Sequence, residues 1–397
     1  MLTSGAGSQT IRTNLYAALL AYLRIGRTDS GSKDAAGPGG VLDLSEGARL
    51  QQANLEVVQS FGTNLLEVVA RDATTGHDVR RMLALAVLDE LVGLDRAAGT
   101  LRFISSQGFL RHLVESLSAD QAGLTELLTK PGGNVRFLYV LEAKLGLLVR
   151  TASHPVGAEL LLQAGLMARL AELPLIDLRP DLDASLLQGD VGQASLGRYH
   201  AVLFPVLRLC LAILASLGGD NVSAASQVLQ FLTGHEETVS LILRGSAARS
   251  SLHPALLQEL SLLTGVVARA ASLDLHPDTM DAGSIELAGQ QARLQRQMMA
   301  LLTQFQLNDN LNASLASASS SPLLPVLQII SNCVSFARSL VSTSSLNSRS
   351  CKLVVSPSMV EDTGGPLAGL LPLVSWSPLH EGWPNSCLSA SKAATFG

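Results

Sequence analysis

The chain has 397 residues, 28 Lys and Arg against 33 Asp and Glu for a formal charge of −5, and 47% hydrophobic content with only 4% aromatic and 15% charged residues. Leu, Ala and Val carry the apolar share, and Leu and Ala are good helix formers, which argues against a β-sandwich, a barrel or a Val/Ile-rich parallel sheet. The acidic balance, with an isoelectric point near 5.9, leaves no basic footprint for a phosphate backbone, so no direct nucleic-acid contact is expected.

At roughly 150 residues per compact domain the length would mean two or three domains, unless repeat number sets it. The composition favours a repeat array. Ile11–Ile25 is the first helical pattern. Residues 27–42 (RTDSGSKDAAGPGGVL) are a flexible Gly/Ser-type loop that cannot bury a core. No proline falls between Pro38 and Pro131, and proline is excluded from helix interiors, so this interval reads as a run of helices.

Leu50, Val57, Val58, Phe61, Leu65, Val68 and Val69 share one helix face, and Asp43 with Glu46 three residues on reads as a capping box at its start. The next helix, Asp78–Val92, places Leu83, Leu85, Val87 and Leu88 on different sides, which predicts neighbours on more than one side. Helical patterns follow at 101–105, 109–117, 124–129, 135–150, 156–173, 198–217, 223–233, 236–244, 254–271, 285–306 and 322–340. A long proline-punctuated connection is expected at 174–197.

A dozen or so helices joined by short turns describe either a large bundle or a stacked array. Gly108-Phe109-Leu110-Arg111-His112-Leu113 is similar to Gly165-Leu166-Met167-Ala168-Arg169-Leu170, and each follows one apolar helix and opens another. That is the turn-then-helix pattern of armadillo or HEAT-like pairs, or else chance in a Leu-rich chain.

The N-terminal MLTSGAGSQTIRTN has no basic start followed by an apolar stretch, so no signal peptide is expected. Mean hydropathy is high at +0.31. The most apolar stretch, 201–217, carries Arg208 near its centre, where a charge costs about 2.5–3.5 kcal/mol in a bilayer, and Pro205 as well. It reads as a buried core helix. The uncharged run 310–337 is interrupted by Ser, Asn and two prolines, and no transmembrane segment is expected. Cys210, Cys333, Cys351 and Cys387 show neither CxxC spacing nor a disulfide framework, as in a reducing compartment.

Chemistry-bearing motifs are sparse. His235-Glu236-Glu237 lacks the second histidine of HExxH and reads as a charged helix start. Asp177, Asp181 and Asp183 lack the Gly and terminal Glu of a calcium loop and read as a solvated acidic loop. Ser389-Ala-Ser-Lys392 matches S-x-x-K in letters only, and Gly37-Pro-Gly-Gly40 lacks the spacing and Lys of a phosphate loop. The eight histidines, His77, His112, His154, His200, His235, His253, His276 and His380, are scattered singly and read as caps or surface residues. The sequons at Asn221 and Asn312 carry no meaning without a secretory signal. No catalytic, cofactor-binding or metal-ligating residue is assigned, and no cofactor is expected.

What remains is surface for other helices. Leu256, Leu260, Leu263, Val267 and Ala270 form an amphipathic stripe, either packed within the array or forming one wall of a groove for a partner's helix.

Four blocks carry a family resemblance: RTNLYAALLAYL (12–23), RDATTGHDVRRMLALAVLDELVGLD (71–95), VLQFLTGHEETVSLILR (228–244) and LQELSLLTGVVARAA (257–271). They occur in order and resemble consecutive blocks of the nucleoporin 192 and 188 family of inner-ring scaffold proteins of the nuclear pore complex. The resemblance implies an all-α solenoid, with a flexible N-terminus over 1–9 and the array over 10–341. It implies nucleoporin 93 and nucleoporin 35 as partners, with the nucleoporin 62 channel complex reached indirectly, but fixes no contact residue. Family members engage nucleoporin 93 through a short helix docked on the C-terminal part of the solenoid, which is the part matched. Family chains are several times longer.

Residues 342–397 do not resemble the family's C-terminal helices. Five of the fifteen prolines and both tryptophans, Trp376 and Trp383, lie there, and the segment reads as a disordered or non-native tail. Phe61-Gly62 and Phe396-Gly397 are isolated dipeptides, not a barrier-forming FG repeat. The implied function is a non-enzymatic pore scaffold acting through helix-in-groove contacts. The alternative is a soluble armadillo-like adaptor that binds transport or signalling peptides.

Overall fold

The apolar periodicities become sixteen α-helices in a computed structural model that describes residues 9–25, 44–130, 133–180, 190–218, 221–245, 253–271, 282–305 and 323–343. In chain order they are α1 (Gln9–Arg24), α2 (Leu44–Gln59), α3 (Thr63–Thr74), α4 (Asp78–Leu94), α5 (Gly99–Ser106), α6 (Phe109–Glu115), α7 (Gln121–Thr129) and α8 (Arg136–Ala152). They continue as α9 (Pro155–Gln163), α10 (Leu166–Ala171), α11 (Asp190–Leu217), α12 (Val222–Gly234), α13 (Glu236–Leu243), α14 (Pro254–Ala270), α15 (Ala282–Gln304) and α16 (Leu323–Thr343). Short 3-10 turns at Ser116–Ser118 and Pro174–Asp177 link α6 to α7 and follow α10. No strand occurs among the described residues.

The helices stack in two layers. Long helices form one row in which α1 packs on α4, α4 on α8, α8 on α11, α11 on α14 and α14 on α16. A second row, of mostly shorter helices that ends on the long α15, runs α3 to α5 to α6 to α9 to α10 to α12 to α13 to α15, each touching its neighbours. Nearest-neighbour stacking of this kind is the architecture of an α-solenoid. Each helix buries one stripe against the next, and at about 1.5–3 kcal/mol for each fully buried Leu this burial outweighs the roughly 1 kcal/mol of a single helix cap.

α4 shows how the sequence sets this up. Leu85, Val87, Leu88 and Leu91 are all buried, because α1, α3 and α8 cover it from different sides. The expectation of a helix covered on more than one side therefore holds.

Three boundaries differ from the expected ones. The stripe from Leu50 to Val69 is two helices, because Gly62 at φ +70° turns the chain between α2 and α3. Val58, Leu65, Val68 and Val69 are buried as expected, whereas Leu50, Val57 and Phe61 are exposed. The pattern over 156–173 is likewise split, into α9 and α10, at Gly165 with φ +77°. The connection expected over 174–197 is shorter than its prolines implied. It opens with the 3-10 turn, and α11 has begun by Asp190 because Leu196 and Tyr199 are drawn into the core, a tertiary preference that overrides local propensity.

Gly108 and Gly165 sit at equivalent places, both left-handed (φ +73° and +77°) immediately before α6 and α10. Phe109, Leu110 and Leu113 are buried, and so are Leu166, Met167 and Leu170. The two matching hexapeptides thus perform the same turn and bury the same face. Asp43 of the Asp43–Glu46 box, the loop at 27–42, Asn312, His276, His380, Asp181, Asp183 and residues 344–397, with both tryptophans, lie outside the described residues, as do Gly37–Gly40 and Ser389–Lys392; Glu46 falls in the first turn of α2.

Candidate functional site

Charges in so apolar a chain mark the places where helices are fixed to one another. At the first end of the array Asp72 of α3 is buried, and Arg12 of α1 donates to both its oxygens at 3.1 and 3.0 Å. Tyr16 Oη donates to the same carboxylate at 2.8 Å. Burial first, and then the Asp72 bond and charge, push the Tyr16 hydroxyl above its usual range. Next along, Arg24 donates to Glu90 of α4 at 2.6 Å, and Arg136 of α8 pairs with Asp78 of α4 at 2.9 Å.

Lys144 of α8 is buried and donates to the Ser116 carbonyl at 2.7 Å. Burial, with a smaller effect of nearby Arg81, lowers its ammonium to about 8.

The densest cluster lies at the centre. Arg179 donates from Nε and Nη2 to the two oxygens of Glu259 on α14, at 3.0 and 2.7 Å, with side chains 8% and 1% exposed. His200 of α11 is buried, stacks on Phe204 at 4.3 Å between centroids and brings Nε2 to 3.7 Å from Glu259. Burial alone would raise the Glu259 carboxyl, but His200 and Arg179 together hold it below its usual 4.5.

Beside this pair, His235 Nδ1 lies 2.8 Å from Asp177 and Nε2 lies 3.0 Å from the Leu170 carbonyl, while Thr238 Oγ1 donates to Asp177 at 2.9 Å. Tyr199 Oη donates to the Ile176 carbonyl at 2.9 Å.

These positions revise several expectations. His200 and His235 are buried in polar clusters and are not surface residues, a fate their isolated letters could not signal. His77, His154, His235 and His253 do stand at helix starts, and His154 accepts from the Val156 amide at 3.2 Å. Asp177 is exposed, as the solvated-loop reading has it, and also binds His235 and accepts from Thr238. Glu236 and Glu237 occupy the first turn of α13, the charged helix start expected, where negative charge suits the helix dipole. Asn221, flagged only as a sequon, caps α12 by accepting from the Ala224 amide at 3.0 Å.

Of the two readings of the α14 stripe, packing within the array holds and the groove wall does not. Leu256, Leu260, Leu263, Val267 and Ala270 are all at most 1% exposed, because α11, α12, α13 and α16 enclose the helix. An open concavity lies elsewhere, between α3 and the α5–α6 turn. It is a cleft of about 340 Å³ with Ala70, Phe103 and Ile104 among its apolar lining and Arg71, Gln107 and His112 among its polar lining.

Among the described residues no three of His, Cys, Asp and Glu come together as a metal-binding group. Residues 191–217 and 323–340 are long and apolar enough to cross a membrane. Each nonetheless turns core residues into the array, Val202, Val206 and Ile213 on the first and Val326, Ile329 and Phe336 on the second, and Arg208 faces solvent.

Polar groups spent on holding helices together, on a two-row array, define a scaffold class of helical repeat protein. Residues 1–271 match the family described as nuclear pore complex scaffold, nucleoporins 186/192/205, and the chain belongs to that family, whose members are structural proteins and not enzymes. It is similar to the human nuclear pore complex protein Nup205, 34% identical over 386 residues, covering 91% of this chain and 19% of the human one. The Drosophila melanogaster protein of the same name is 34% identical over 322 residues, 77% of this chain and 15% of its own. Arabidopsis thaliana NUP205 is 27% identical over 237 residues, 56% and 12%.

The chain therefore spans about a fifth or less of the relatives it matches. Residues 1–342 fall short of 91% of the chain, so the human match takes in part of the segment after Ser342 that the sequence reading set apart.

Proposed function

We propose that the chain serves as a scaffold segment in the inner ring of the nuclear pore complex, at the nuclear envelope, and supports nucleocytoplasmic transport by holding other nucleoporins in place. The observation that carries this reading is the family match over residues 1–271, laid on an array whose buried charges link helix to helix. Its partners on this reading are nucleoporin 93 and nucleoporin 35, with the channel nucleoporin 62 complex reached through the assembly. On this reading it makes no direct nucleic-acid contact and does not span the membrane, which the packing of Val202, Val206 and Ile213 of α11 and of Val326, Ile329 and Phe336 of α16 into the core supports.

Contacts form by a helix docking in a groove, and the cleft between α3 and α5–α6 is an open groove on the described surface that fits this mode. Tagged full-length chain should concentrate at the nuclear rim and co-purify with nucleoporin 93. A diffuse distribution with no inner-ring partner would overturn the scaffold reading, and rapid exchange in photobleaching would favour the adaptor. Filling the cleft by Gln107→Trp, at an exposed position, should remove most of the captured partner while leaving the helical signal intact.

A further inference from the structure

In an array where each helix touches only its neighbours, curvature is set by many small contacts, and distant repeats are free to flex relative to one another. One short stretch departs from that rule. Leu173, Leu175 and Ile176 are buried, so the backbone of the 3-10 turn is sunk into the seam after α10. From this seat its polar groups reach three separate helices. The Ile176 carbonyl accepts from Tyr199 of α11. Asp177 holds Thr238 of α13 and His235, the residue at its N-terminal cap, and His235 in turn meets the Leu170 carbonyl of α10. Arg179 closes a two-bond fork on Glu259 of α14.

We propose that Leu173–Arg179 is a strap that fixes how α13 and α14 stack on α10 and α11, so that its release lets the second half of the array move as a unit against the first. The choice of chemistry fits the task. Burying a charged pair adds little net stability compared with apolar residues of similar volume, yet it admits one geometry only. The planar guanidinium fork adds direction that an apolar contact lacks. The two anchors, Asp177 and Arg179, stand two and four residues beyond the buried Leu175 and engage different helices, so together they fix both the position and the tilt of α13 and α14. His200, stacked on Phe204, limits where the Glu259 carboxylate can sit.

Amide hydrogen exchange on the full chain tests this. Arg179→Ala with Glu259→Gln removes the fork without leaving a buried charge unpaired. Asp177→Asn, at a side chain 45% exposed, weakens the second anchor alone and is the milder variant. The strap predicts exchange about ten-fold faster or more in α13 and α14 of the double variant, with α1, α4 and α8 unchanged and the helical signal retained, since local openings report local stability. Asp177→Asn should speed α13 selectively. Unchanged protection of α13 and α14 in both variants, or acceleration spread evenly from α1 to α16, would overturn it.

Discussion

Glu259 is the residue whose environment says most about this molecule, because a carboxylate only 1% exposed persists in a chain with few charges to spare. Glu259→Ala should cost about 3–5 kcal/mol in denaturant unfolding, since it orphans the buried Arg179 guanidinium. Arg179→Ala with Glu259→Gln should cost clearly less, because residues in direct contact are not additive.

Its pH behaviour follows from the sign of the shift. The folded carboxyl lies below the usual 4.5, so its contribution is complete above that pH and is lost as pH falls through the lower folded value. Lys144 behaves oppositely. Its ammonium is lowered from 10.5 to about 8, so between these values the unfolded chain binds the extra proton and stability rises with pH. Thermal melts at pH 8 and pH 10 should show the native chain gaining relative to Lys144→Met. A parallel pH dependence of the two would refute the assignment.

At the scale of elements, the glycine turns carry the repeat. At Gly108 and Gly165 an added Cβ would meet nothing within 4 Å, so only the left-handed backbone opposes substitution. Gly108→Ala and Gly165→Ala should each cost about 1–2 kcal/mol, and the double variant their sum, as read by chemical denaturation. Gly157→Ala should cost more although its backbone is unstrained, because its Cβ would collide with the Thr151 carbonyl of the preceding helix. The same turns explain the boundaries that periodicity misjudged. Apolar residues keep helical spacing across Gly62 and Gly165, so the stripe in the sequence runs on while the chain turns. The α14 stripe packs within the array, as one of its two readings had it, and Leu257, Val266 and Ala268 bury further faces that its spacing does not describe.

At the scale of the whole molecule, the two apolar helices long enough for a bilayer test the solenoid reading. If α11 and α16 are array helices, the purified full chain should remain unbound in vesicle flotation without detergent. Stable co-flotation that survives high salt would contradict the packing of Val202, Val206, Ile329 and Phe336 into the core.

By itself the sequence determined the helical class, most helix positions, the matched turns at Gly108 and Gly165 and the family, because these depend on local propensity and on blocks of residues contiguous in the chain. Tertiary structure alone decided which stripes face inward, where the chain breaks between helices, and the meeting of Arg179 with Glu259 or of Asp177 with His235. Those pairs lie 80 and 58 residues apart. No periodicity of 3.6 residues carries information over that distance, since the partners meet only once the intervening helices have stacked.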